Sequence, residues 1–175
     1  MKILILCLTL FSSIFYSQIS TLTVNNYSPY YLKVRLGANS SAVACLPSVV
    51  SGIEQVPPAL GLLPFTVTYN KFANSGVAVL PINSWFVTTS LTSPGILRPY
   101  NHPALNPSGP IALNTDWSYF VFQTFDGGTV SYDNFQLGVG NCNGTVYTAQ
   151  SGTYSDAEWF TITSGGTITT YVQIY

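Results

Sequence analysis

Charge is what this sequence has least of. Only 6% of its 175 residues are Asp, Glu, Lys or Arg, where a soluble domain ordinarily carries about 25%. Five basic residues stand against six acidic ones, too few to build an extended basic patch. Nucleic acids and anionic membranes are gripped by clustered Lys and Arg, so neither is expected as a partner.

Metal ligands are equally scarce. One histidine and three cysteines cannot assemble a four-ligand zinc site together with a disulfide. No segment is dense enough in oxygen ligands for calcium; Asp126 with Asp133 is the nearest approach. No cofactor motif occurs, and no metal or cofactor is expected.

Catalytic signatures are missing as well. There is no Gly-x-Ser-x-Gly elbow to expose a serine nucleophile. Asp156 and Glu158 are two apart and would share one face of a strand, and glycoside hydrolysis needs two carboxyl groups about 5–9.5 Å apart. The plainer reading is that both open a strand after a turn and face water. His102 lies in Pro99-Tyr100-Asn101-His102-Pro103, where an exposed loop position explains it without chemistry. A glycan hydrolase built on Asp156, Glu158 and His102 is the least favoured reading, and a non-enzymatic protein is expected.

Long apolar runs and helical periodicity complete the list of absences. The longest run covers residues 3–15, broken by Thr9, Ser12 and Ser13, and is shorter than the roughly 20 residues of a spanning helix. With Lys2 before it and Ser17 after it, it reads as a cleaved export signal over 1–17. Cys7 would leave with it. The remaining 158 residues keep four basic and six acidic side chains, a net charge of −2. Export places the chain in a periplasm, on a cell surface or outside the cell, and no transmembrane segment follows. Oxidising surroundings favour a bridge between Cys45 and Cys142.

What fills the chain is alternation. Tyr30, Leu32, Val34 and Leu36 fall on one face of a strand, and Tyr31, Lys33 and Arg35 on the other. Leu22 and Val24 alternate with Thr21, Thr23 and Asn25, and residues 26–29 read as the turn of an opening hairpin. Phe65, Val67 and Tyr69 oppose Thr66 and Thr68; residues 77–80 and 85–91 are further candidates. Residues 117–125 are apolar on both faces, as in a central strand. Asp126-Gly127, Asn143-Gly144, Ser151-Gly152 and Gly165-Gly166 offer the positive φ of tight hairpin turns. The last pair should join residues 159–163 to 167–175, with Ile168, Val172 and Ile174 inward and Thr169, Tyr171 and Gln173 outward.

About nine or ten short strands in one domain, 18–175, predict an all-β antiparallel sandwich of immunoglobulin-like or jelly-roll-like form, with a barrel as the alternative. Two proline-bearing segments, 48–64 and 92–110, are expected as long loops, the second stiffened by five prolines and exceeding the usual loop length.

Function must then come from surface contacts. The first and last strands carry no charged side chain, so they are either interior or edges covered by another chain. Poverty of charge favours association, and a self-associating structural or surface subunit is the leading expectation. The alternative is a carbohydrate-binding or adhesive module for neutral glycans, with Tyr31, Tyr171, Tyr175, Tyr100 and His102 as candidate ligand contacts, since aromatic rings stack on sugars and amides meet their hydroxyls. Ordinary strand propensity also explains the tyrosines. Asn26, Asn39 and Asn143 each head an Asn-x-Ser/Thr triplet.

Overall fold

The computed structural model describes residues 19–42, 44–140, 142, 144 and 146–175; the expected export signal lies outside them. Among these residues twelve strands form two sheets packed face to face, a β-sandwich with no closed barrel. The smaller sheet contains β1 (Ile19–Asn26), β5 (Phe65–Asn70), β10 (Ala149–Ser151), β11 (Asp156–Ser164) and β12 (Thr167–Ile174), ordered β10-β11-β12-β1-β5. The larger contains β2 (Tyr31–Asn39), β3 (Ser48–Ser51), β4 (Glu54–Val56), β6 (Ser84–Thr88), β7 (Ile96–Pro99), β8 (Asp116–Phe125) and β9 (Ser131–Gly138). Its order is β7-β6-β3-β2-β8-β9, with β4 also beside β2.

Alternation supplies the core. Leu22, Val24, Val67, Tyr69, Trp159, Val172 and Ile174 face in from the smaller sheet, and Leu32, Val34, Leu36, Trp85, Phe120, Phe122 and Phe135 from the larger; all are buried. Burial of each such side chain stabilises the fold by about 1.5–3 kcal/mol. At one end Phe72 meets Trp85 and Trp117 edge to face while the two indoles are tilted against each other, with centroids 5.1 to 6.0 Å apart. Trp85 Nε1 donates there to Ser75 Oγ at 2.9 Å, which donates to Ile82 O at 2.8 Å, whereas the buried Trp117 Nε1 has no hydrogen-bond partner. Lys71 is buried, and its ammonium donates to Ala112 O and Thr115 O and pairs with Asp116 at 3.4 Å. Burial pulls its pKa down, and Asp116 partly restores it.

The doubly apolar segment is indeed central: β8 lies between β2 and β9. The closing hairpin also forms as expected, with Gly165 and Gly166 at φ 57° and 81° between β11 and β12, the positive values a two-residue turn requires. Cys45 and Cys142 are bridged, their Cα atoms 5.5 Å apart. The bridge ties the β2–β3 connection to the crossing from β9 to β10, and closing a loop of 97 residues contributes about 4–5 kcal/mol in the chain-entropy account.

Several expectations are corrected. β1 and β2 are not a hairpin: they belong to different sheets. Asn26 makes the difference, for its carbonyl oxygen accepts from Ser28 N and Oγ while Nδ2 donates to Tyr30 O and Pro57 O. That side-chain turn sends the chain across the sandwich. Residues 77–80 form no strand, because Ser75–Val77 is a single 3-10 turn leading to Pro81.

Segment 48–64 is not an open loop. It supplies β3 and β4, both paired to β2. Segment 92–110 holds the edge strand β7, a 3-10 turn over Pro103–Leu105 and the start of a helical turn α1 (Pro110–Leu113). Gly144 has φ 75° but lies on the crossing between sheets rather than in a hairpin; Asn143 is outside the described residues. Gly152 keeps an ordinary φ and owes its place to Asp133, whose carboxyl carbon a Cβ would approach to 2.4 Å. Among the described strands one pair is parallel: β1 and β12 run side by side over Ile19–Asn26 and Thr167–Ile174.

Candidate functional site

The five residues expected at a ligand site are distributed over three places. Tyr171 and Tyr175 lie on the outer face of the smaller sheet, where each already has an aromatic partner. Tyr171 stacks on Phe160 with centroids 5.2 Å apart, and Tyr175 on Tyr27 at 5.5 Å. The Tyr175 hydroxyl donates to Glu158 Oε1 at 2.7 Å, and that bond, with burial and the Glu158 charge, pushes the phenol up to about 12. Glu158 is thereby engaged by a neighbouring side chain.

Tyr100 and His102 belong to the connection after β7. Tyr100 packs against the core, its ring over Gly76, where a Cβ would come within 2.2 Å. His102 is half-buried rather than exposed. Its Nδ1 accepts from Ala104 N at 3.2 Å, capping the short turn, and Nε2 lies 3.2 Å from Arg98 Nη1. Tyr31 is on the outer face of the larger sheet, tilted against Phe125 at 5.7 Å.

The carboxylates are also taken up locally. Asp126 accepts from Gly128 N and Val130 N in its own turn. Asp133 Oδ1 accepts from Thr153 N, and Oδ2 from Tyr154 N, Ser155 N and Ser155 Oγ, at 2.8 to 3.1 Å. Burial pushes the Asp133 pKa up; the four donors together outweigh it and hold it below its ordinary 3.8. Among the described residues no group of three His, Cys, Asp or Glu is placed to hold a metal ion.

The feature that does converge is a groove of about 810 Å³ on the outer face of the larger sheet. Strand neighbours bring it together. On β2, Lys33 and Arg35 point outward; on β8, Gln123 sits opposite Lys33 and Val121 opposite Arg35; on β9, Asn134 and Gln136 continue the two rows. Ile53 rises from the bend between β3 and β4 as one wall. Gln150 of β10 reaches across as the other, its Oε1 accepting from Gln136 N at 2.6 Å.

That contact covers a backbone donor on the sheet's edge strand while extending the groove. Gln123 Nε2 donates to Asn134 Oδ1 at 2.9 Å, which orders the amide row.

Tyr119 lies flat at one end of the groove, because its partner across the ladder is Gly37. A Cβ on Gly37 would sit 1.8 Å from the ring, so only glycine lets the phenol rest on the sheet. Burial, opposed by the charge of Arg35, pushes the Tyr119 hydroxyl up to about 12. At the other end the Lys33 ammonium sits 4.5 Å above the Phe125 ring, a cation–π contact.

A second, smaller cleft of about 300 Å³ lies between β4 and the β6–β7 ribbon, with Glu54 as its one charged group. Burial raises that carboxyl's pKa.

Comparison of the chain with protein-family models, with curated proteins and with solved structures finds no match. The chemistry of the site therefore has to be read from its own residues. The larger groove offers amide donors and acceptors, one phenol, two cations and an apolar floor, but no acid–base pair. Sequence reasoning placed Lys33 and Arg35 on an outer face yet missed the groove. The available signal was β8, where Tyr119, Val121 and Gln123 form a second, half-apolar face that a plain solvent surface does not need.

Proposed function

We propose that this chain is an exported, non-enzymatic protein that works by contact, holding a saccharide chain along the outer face of its larger sheet. The groove carries the reading. Its amides, from Gln123, Asn134, Gln136 and Gln150, line a floor of Val121 and Tyr119. A hydroxyl-rich ligand needs this combination of neutral hydrogen-bonding groups around a small apolar surface. Export draws support from the Cys45–Cys142 bridge, which persists in oxidising compartments, and from the leader pattern in the sequence. Among the described residues no helix is long and apolar enough to cross a membrane.

Affinity electrophoresis through a panel of soluble polysaccharides tests the proposal. At least one should retard the protein, and Gln123→Ala combined with Asn134→Ala should abolish the retardation while leaving the melting temperature in place. No retardation by any of them would reject it.

Self-association is a second reading, favoured by one observation. On the β6–β7 ribbon Phe86 and Leu97 are cross-strand partners that remain 47% and 65% exposed, an apolar pair suited to a second copy of the chain. The uncharged β1 and β12 lend it no support, because both are interior strands. Light scattering should then show oligomers that persist in high salt and dissociate in Leu97→Lys; a monomer at all concentrations would remove this reading.

A further inference from the structure

Resting on the saccharide reading above, we propose that the chain held in this groove is an acidic polysaccharide, one bearing carboxylates on successive sugars. The argument is the segregation of charge. Lys33 and Arg35 are two of the chain's five basic residues, they stand on one face of β2, and no carboxylate lines the groove with them.

Each acidic residue is positioned elsewhere. Asp116 pairs with Lys71, Asp126 and Asp133 hold backbone turns, and Glu158 accepts from Tyr175. Glu54 lines the smaller cleft, and Asp156 opens β11 in the other sheet. The one ion pair among the described residues is the buried Lys71–Asp116. A protein this sparing with charge has put two cations into a neutral amide groove without a counter-ion.

Their placement also bears on the kind of anion. The Lys33 ammonium sits over Phe125 at the Tyr31 end, whereas Arg35, across the ladder from Val121, occupies the next outward position toward Gly37 and Tyr119. Their Cβ atoms are about 7 Å apart along the strand, and the Lys33 ammonium is held over the Phe125 ring. A polymer with a carboxylate on each of several rings can meet both, its hydroxyls falling to the amides between. Charge-assisted hydrogen bonds to carboxylate are roughly twice as strong as neutral ones, so the two cations would dominate selection between acidic and neutral chains.

Isothermal titration of the intact protein with oligogalacturonate, with the same oligomer after reduction of its carboxyls to alcohols, with dextran sulfate and with polyglutamate tests this. Oligogalacturonate should bind about tenfold or more tightly than its reduced form, and the advantage should shrink in high salt. Lys33→Gln with Arg35→Gln should bind both forms alike, and Lys33→Arg with Arg35→Lys, which keeps both charges, should retain most of the preference.

Equal binding of the two forms by the native protein would overturn the acidic ligand and leave the saccharide reading intact. Dextran sulfate or polyglutamate binding as tightly as oligogalacturonate would also overturn it, reducing the groove to a generic cation pair. Binding of neither oligosaccharide would overturn both readings together.

Discussion

On the outer face of the smaller sheet, polar and aromatic side chains satisfy one another. Thr23 bonds Thr68 at 3.1 Å, Thr66 donates to Asn25 at 2.8 Å, Phe160 stacks on Tyr171, and Tyr27 on Tyr175. On the outer face of the larger sheet, two cations and four amides border a groove, and its tyrosine is pressed flat by a glycine. Both faces come from the same in-and-out alternation. The difference lies in what stands across the ladder from each outward residue, and it shows that aromatic richness is a poor guide to a site when the rings already have partners.

The sharpest break in the comparison is on the inward side, where the two faces cease to differ. Val172 is fully buried between Val24 and Trp159, and Val172→Asp places an unpartnered charge there; a loss of about 4 kcal/mol or more should leave no cooperative melt. Next in size, reducing the Cys45–Cys142 bridge should lower stability by about 4 kcal/mol in denaturant titration. It should also weaken ligand binding by loosening the crossing that brings Gln150 to the groove.

Gly37→Ala tests the larger face directly. By lifting Tyr119 from the sheet it should cost about 1–3 kcal/mol and impair binding. Thr23→Ala, on the smaller face, should cost about 0.5 kcal/mol or less and leave binding untouched. If both substitutions behave alike, the contrast between the faces is wrong.

The smallest effect concerns acid. Asp133 is held below its ordinary 3.8 in the folded chain, so its contribution is complete above the unfolded value and is lost as pH falls through the lower folded one. Asp133→Asn should therefore reduce stability at neutral pH and flatten the acid limb of a melting-temperature profile below about pH 4; an unchanged limb would discount the four-donor cradle.

The strands were legible where alternation is long. β2, β8 and the β11–β12 hairpin follow from Leu32-Val34-Leu36, from the double face of 117–125 and from Gly165-Gly166. The cysteine bridge was legible from the cysteine count and the expected oxidising compartment.

Partnership was not. Alternation tells which way a side chain points but not which strand lies beside it, so β1 and β2 looked like a hairpin until Asn26 was seen to turn the chain between sheets. β3 and β4, at four and three residues, are too short to carry a period among glycine and prolines. The groove draws on β2, β8, β9 and β10, strands far apart in sequence, and no local pattern announces it. Asn26 itself, buried with its amide fully bonded, is a structural residue in the folded domain rather than a glycan acceptor.

The parallel seating of β1 against β12 has a consequence for how the domain comes into being. The earliest strand has a neighbour on each side, β5 and β12, and one of them is synthesised only as the last described residues emerge. Until then Leu22 and Val24 have an open flank, and the smaller sheet cannot be completed. A polypeptide that must wait for its tail before it can shut stays threadable for as long as it is being made, and contacts between such distant segments form slowly. That delay would suit the export proposed for this chain.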